Sequence, residues 1–123
     1  MMENNVKKIL IVDDDVSIGE MLRTLLEFSG YKAIVVNNPK KVEDKVAEEH
    51  FDLILLDMRL SGVDGTEICS KLKESETSKH IPVLMMSALS NADKTCKAAG
   101  ADDFIYKPFE MDDLLSKIKT IIG

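Results

Sequence analysis

Apolar residues in this chain fall into short unbroken runs that alternate with stretches at helical spacing. The runs cover residues 6–12, centred on Ile9-Leu10-Ile11-Val12, then 33–36, 53–56, 83–86 and the short 104–106. Runs of three or four consecutive apolar residues bounded by polar or turn residues predict strands buried on both faces. Between them, Met21, Leu22, Leu25, Leu26 and Phe28 recur at helical spacing, and Ser29-Gly30 supplies a stop. Ser17 and Glu20 have the spacing of a capping box near that helix's start, and Asn38-Pro39 opens the next helix as a cap followed by proline. Val42, Val46 and Ala47 line the second helix, and Ile68, Cys69 and Leu72 line a third over 66–73. A fourth, over 90–99, has a Ser90/Asp93 capping box and Gly100 as its stop, but few large apolar residues. It is expected to be weakly anchored. The fifth carries Met111, Leu114, Leu115, Ile118, Ile121 and Ile122, a face broad enough to dock firmly.

Five strands alternating with five helices predict an α/β fold, a doubly wound parallel sheet with right-handed crossovers. The 123 residues suit one domain, with a core over about 6–122. No repeat, linker or low-complexity tract interrupts them.

Charge narrows the range of partners. The net charge of −6 argues against a direct nucleic-acid or anionic membrane surface. Lys41, Lys45, Lys71 and Lys73 are scattered singly and read as solvated helix faces. The first residues lack the apolar core of a signal peptide, and no run approaches the ~20 apolar residues that span a bilayer. Cys69 and Cys96 lie in separate helices without a C-x-x-C motif, as packed free thiols of a reducing compartment do. A cytoplasmic location is the expectation. His50 and His80 lack partners at catalytic or metal-ligand spacing and read as surface residues, and the methionines read as core filler.

The candidate chemistry lies where the strands end. The first ends at Asp13-Asp14, the third at Asp57, the fourth at Ser87 and the fifth at Lys107. In a parallel sheet those ends share one edge, so residues far apart in sequence converge. Asp13, Asp14 and Asp57 together cannot all ionise without a cation. Oxygen ligands in that number suit Mg²⁺. Asp57 would then be a nucleophile accepting a phosphoryl group, with Lys107 pairing the phosphate and Ser87 donating its hydroxyl. Taken singly, each feature has a plainer reading. Asp13-Asp14 is also a helix cap, Ser87 a turn residue and Lys107 a solvated lysine. Asp15 reads as a helix-start residue, and Asp102 and Asp103 as a turn and strand start.

These segments together resemble the receiver domain of bacterial two-component response regulators. The resemblance rests on Ile9 through Asp15, on Leu55-Leu56-Asp57-Met58 with Gly62 and Asp64-Gly65, on Met86-Ser87-Ala88, on Gly100-Ala101-Asp102-Asp103, and on Lys107-Pro108-Phe109. It implies a flavodoxin-like sheet in the order 2-1-3-4-5 and phosphoryl transfer to Asp57 from a histidine kinase or phosphotransfer protein. It implies Mg²⁺ held by Asp14, Asp57 and the backbone carbonyl of Arg59, with Asp13 holding a metal-bound water. It implies that Ser87 moves toward the phosphate, that Phe104 turns inward behind it, and that the Lys107–Pro108 peptide is cis. Further partners would be a downstream protein or an output domain, or a second phosphorylated copy meeting through the fourth helix, fifth strand and fifth helix. The family usually has proline where this chain has Ser61, and a smaller residue where it has Tyr106. Leu89, at a position that tunes dephosphorylation in the family, offers no group to orient water, so a long-lived phosphate is expected.

Two other readings compete with this switch, which would catalyse chemistry only on itself. Residues 11–17 loosely fit a haloacid-dehalogenase-type phosphatase, with Asp13 as nucleophile and Asp15 as acid/base. The other reading is a constitutive scaffold with a silent site. The segment carries no DNA-binding or enzymatic output region, which suits both a stand-alone regulator and a piece of a longer protein.

Overall fold

A computed structural model describes residues 6–60, 62–89 and 92–123. The main sheet contains β1 (Lys8–Val12), β2 (Lys32–Val36), β3 (Leu53–Asp57), β4 (Val83–Ser87) and β5 (Asp103–Tyr106). The strands are all parallel, in the order β2-β1-β3-β4-β5. The helices are α1 (Val16–Phe28), α2 (Val42–Glu48), α3 (Gly65–Glu74), α4 (Ala92–Ala98) and α5 (Met111–Ile122). The alternation read from the sequence and the strand order implied by the resemblance are both present.

Burial explains why the strands read as continuous apolar runs. Along β1, Leu10 and Val12 face the core under α2, α3 and α4, while Ile9 and Ile11 face the core under α1 and α5. Both faces are covered, so neither alternate position needs to be polar. The helices are held unequally. α5 fully buries Leu114 and Ile118, whereas α4 buries only Ala92 and Cys96. Each large aliphatic side chain contributes about 1.5–3 kcal/mol on burial, so α4 is the loosely held helix, as its composition predicted.

Several local details differ from the sequence reading. α1 is capped by Asp15, whose carboxylate accepts from the Ile18 amide, so Ser17 lies inside the helix and the Ser17/Glu20 capping box does not form. Glu20 pairs instead with Arg23. Asn38 does cap, accepting from the Lys40 amide, but it opens a 3₁₀ turn at Pro39–Lys41 that leads into α2. Ser29 and Gly30 end α1, with Gly30 at φ +99°, a conformation that suits glycine. The Ser90 cap lies outside the described residues, as does Ser61. A two-stranded antiparallel hairpin, Arg59–Leu60 with Val63–Asp64, follows β3 and was not anticipated.

Lys73 is not a solvated lysine. Its ammonium donates to the Ile81 carbonyl and to Asp102, both at 2.8 Å. His50 is exposed and sits 3.1 Å from Asp52. Met58, Met85 and Met86 fill the core as expected, but Met21 is exposed.

Candidate functional site

The sheet register assembles the site. Val12 pairs with Leu56, so the residues that follow them, Asp13 and Asp57, leave adjacent strands side by side. Asp57 pairs with Met86, which sets Ser87 at the neighbouring strand end, and the Lys107 amide donates to the Ser87 carbonyl at 2.8 Å. Backbone bonds of the sheet therefore fix where every strand-terminal group lies.

Carboxylate oxygens of Asp13, Asp14 and Asp57 lie within 4.8 Å of one another. Asp13 and Asp57 are buried. The Lys107 ammonium is 3.2 Å from Asp57 Oδ2 and 3.9 Å from Asp13 Oδ2. Lys107 thus stands between two carboxylates that lie in a poorly solvated place. Burial pushes the Asp13 carboxyl above its ordinary range. The charges of Asp57 and Asp14 push the same way, while the Asp15 amide and Lys107 pull it back. Asp13 Oδ1 accepts from that amide at 2.9 Å, but Oδ2 is buried with no hydrogen-bond partner among the described residues. A buried, unsatisfied oxygen beside two further carboxylates fits a hard cation, which would supply the missing charge. The acidic cluster is thus a pocket of the kind a divalent ion takes.

Other contacts hold this rim in place. The Asn37 amide donates to the Asp13 carbonyl at 3.0 Å, tying the loop after β2 to the loop after β1. The Arg59 amide points at Asp57 Oδ1 from 3.4 Å, and Arg59 pairs with Asp64 in the hairpin. Asp64 caps α3 through the Thr66 amide and hydroxyl, at 2.9 and 2.7 Å. Gly65 packs against the β3 end so closely that a Cβ would stand 2.3 Å from the Asp57 carbonyl oxygen. The Ser87 hydroxyl is buried and accepts from the Leu89 amide at 3.0 Å, leaving its own hydrogen to donate. Phe104, half-buried, lies beside Met85 in mid-β5. The Lys107–Pro108 peptide is cis.

The structure therefore brings Asp13, Asp14, Asp57 and Lys107 into direct proximity, sets Ser87 and Arg59 next to them, and places Phe104 one step back. Sequence reasoning missed Asn37, which gave no signal beyond being a loop amide. Asp64 ahead of the helical stretch has a cap signature that the sequence reading did not use, and it caps α3.

The acidic trio and the lysine lie at the carboxyl edge of a doubly wound parallel sheet, where α/β proteins of this class hold their ligands. Comparison with known proteins narrows it. The profile of the response regulator receiver domain matches residues 9–119, and the chain belongs to that family. It is 36% identical over 118 residues to the phosphate regulon transcriptional regulatory protein PhoB of Pseudomonas aeruginosa, covering 94% of this chain and 52% of that protein. It is 37% identical over 124 residues to a transcriptional regulator, ycf27, of Cyanophora paradoxa, covering 98% and 50%. The chain thus spans about half the length of these relatives. Among solved structures, a CheY-like response regulator receiver domain protein from Methanospirillum hungatei JF-1 superposes with a TM-score of 0.86 at 33% identity, covering 94% of this chain and 93% of that one. The chemotaxis response regulator CheY4 of Vibrio cholerae gives 0.88 at 26% identity, covering 95% and 99%.

This membership gives the phosphatase reading no support. Locally, the Asp15 carboxylate is engaged as the α1 cap. No helix among the described residues is long and apolar enough to cross a membrane.

Proposed function

We propose that the chain is a single receiver unit, over about residues 6–122, of a cytoplasmic two-component system. It accepts a phosphoryl group on Asp57 and changes its partner-binding face in response. The observation that carries this reading is the trio of Asp13, Asp14 and Asp57 within 4.8 Å, faced by Lys107 at 3.2 Å from Asp57. Buried carboxylates so close are costly in the absence of a cation, and a phosphoryl acceptor needs one.

The donor is a phosphohistidine of a sensor kinase or phosphotransfer protein. An Asp57 carboxylate oxygen forms the new P–O bond as the P–N bond breaks, and that electron pair returns to the donor imidazole. Asp14, Asp57 and the Arg59 carbonyl would hold Mg²⁺, with Asp13 acting through a bound water. Mg²⁺ bound there supplies neutralising charge for the phosphoryl oxygens. Lys107, already beside Asp57, pairs with the added phosphate, and Ser87 donates its free hydrogen to it. Ser87 is tied to the Leu89 amide, so that movement pulls on the loop leading to α4, and Phe104 turns into the space behind. Phosphate then favours one of two loop arrangements, a population shift. The chain turns over no external substrate. Its output is a downstream protein, an output domain or a second phosphorylated copy.

The test is labelling with acetyl phosphate and Mg²⁺, read by intact mass. The expected result is one phosphoryl group on the parent, none on Asp57→Asn, and none after chelation. Leu89 offers no group to orient water, so the label should persist well beyond seconds without a phosphatase. Labelling of Asp13 in place of Asp57 would overturn the assignment.

A further inference from the structure

β5 presents two aromatic rings on one face. Phe104 and Tyr106 are two residues apart, so they project from the same side of the strand. Their rings meet edge to face, with centroids 4.6 Å apart. In the register Phe104 pairs with Met85 and Tyr106 with Ser87. Met85 and Phe104 pack in the core beneath α4, so Tyr106 occupies the position beside Ser87 on that covered side. Its hydroxyl reaches to 3.5 Å from Asp93 Oδ1 on α4, the outer limit of a hydrogen bond. Tyr106 remains 44% exposed. α4 buries only Ala92 and Cys96, so even a modest contact from β5 to Asp93 bears on its position.

We propose that Tyr106 is a positioning residue that holds the resting arrangement. Its ring meets Phe104 edge to face at the register position beside Ser87, in the way of an inward turn of Phe104, and its hydroxyl ties α4 to β5 through Asp93. Both contacts must be given up together before the aromatic core of β5 rearranges. The inference rests on Ser87 and Phe104 as the moving pair, and it adds a lock that Phe104 alone does not supply. Loosening that lock shifts the balance toward the phosphorylated arrangement without touching Asp57, Ser87 or Lys107.

The first arm of the test needs no phosphate. Amide hydrogen exchange of residues 92–98 is measured in the unmodified full chain. A hydrogen bond to a carboxylate contributes modestly at a partly exposed site, so Tyr106→Phe and Asp93→Ala should each speed exchange roughly threefold. The double variant should be no faster than either single one, and Asp93→Asn, which still accepts a hydrogen bond, should restore most of the protection. Unchanged exchange in Tyr106→Phe, or full additivity in the double variant, would overturn the tie.

The second arm reads the coupling. The chain has two tyrosines and no tryptophan, so Tyr31→Phe leaves Tyr106 as the sole tyrosine emitter. Its emission should change on saturation with beryllofluoride and Mg²⁺. Removing the ring with Tyr106→Thr should lower the half-saturating beryllofluoride concentration by about threefold, with the urea unfolding midpoint as the check on folding. Silent emission in a protein whose Asp57 accepts phosphate would overturn the coupling. A protein that never labels at Asp57 would instead overturn the function proposed above, and the exchange arm would still decide the tie.

Discussion

The two edges of the sheet treat charge in opposite ways. At the amino edge the carboxylates that flank the strand starts meet donors. Asp52 accepts from the Lys8 amide at 2.8 Å, Asp102 accepts from the Val83 amide and Lys73, and Glu49 pairs with Lys8 and Lys45. At the carboxyl edge Asp13, Asp14 and Asp57 crowd together, Lys107 reaches Asp57 and Asp13, and a buried Asp13 oxygen goes without a hydrogen bond among the described residues. The same strands, with the same apolar cores, end in satisfied pairs below and in repulsion above. The lower edge closes strand starts onto helix ends and serves stability. The upper edge gathers like charge that an incoming cation would relieve, a cost in folding free energy that makes sense where function lies.

The strongest way to disturb this contrast is Gly65→Ala. A Cβ 2.3 Å from the Asp57 carbonyl oxygen meets backbone, which cannot move aside cheaply. The expected loss is about 3 kcal/mol in urea unfolding, and acetyl phosphate labelling should fall with it as the β3 end is displaced. A loss under ~1 kcal/mol would show that the upper edge is more pliant than its packing suggests.

Next comes Asp102→Ala at the lower edge. It strips partners from the Val83 amide and Lys73 together. The expected cost is about 1–3 kcal/mol, reduced toward the low end by the partial exposure of Asp102, with labelling at Asp57 unchanged. Weakened labelling would mean that the two edges are coupled.

The smallest effect should have the opposite sign. The Asp13 carboxyl is raised by burial above its ordinary 3.8, so the folded chain binds that proton more tightly than the unfolded chain. Stability from this group is therefore present below the ordinary value and is lost as pH rises from there through the folded value. Near neutral pH without Mg²⁺, Asp13→Asn should stabilise the protein, by less than either loss above. The gain should shrink in acid and in millimolar Mg²⁺, both visible in thermal melts. A variant less stable than the parent in chelator would contradict the reading of the upper edge as repulsive.

The apolar runs made the sheet legible in the sequence because both of its faces are buried, and Asp13, Asp57, Ser87 and Lys107 were legible because they end those runs. The shorter-range details were harder to read. Arg59–Leu60 and Val63–Asp64 are too brief to show a period, so their hairpin left no trace. Ser17 and Asp15 are both good cap residues, and only the backbone conformation at Asp15, φ −86° and ψ 110°, decides between them. Lys73 resembled any helix-surface lysine because its partners Ile81 and Asp102 lie on other segments. The lock on α4 was equally hidden. Tyr106 stood out as bulky, but its meaning depended on Asp93, which only the folded chain brings near.

Because Ala92 and Cys96 alone anchor α4 from within, the helix's remaining outward positions are under little constraint from the core. Duplicated copies of such a gene could diversify that helix by drift, acquiring separate clienteles while the acid-rimmed chemistry beneath stayed untouched. Insulation between cell signals would then be written on a seven-residue helix.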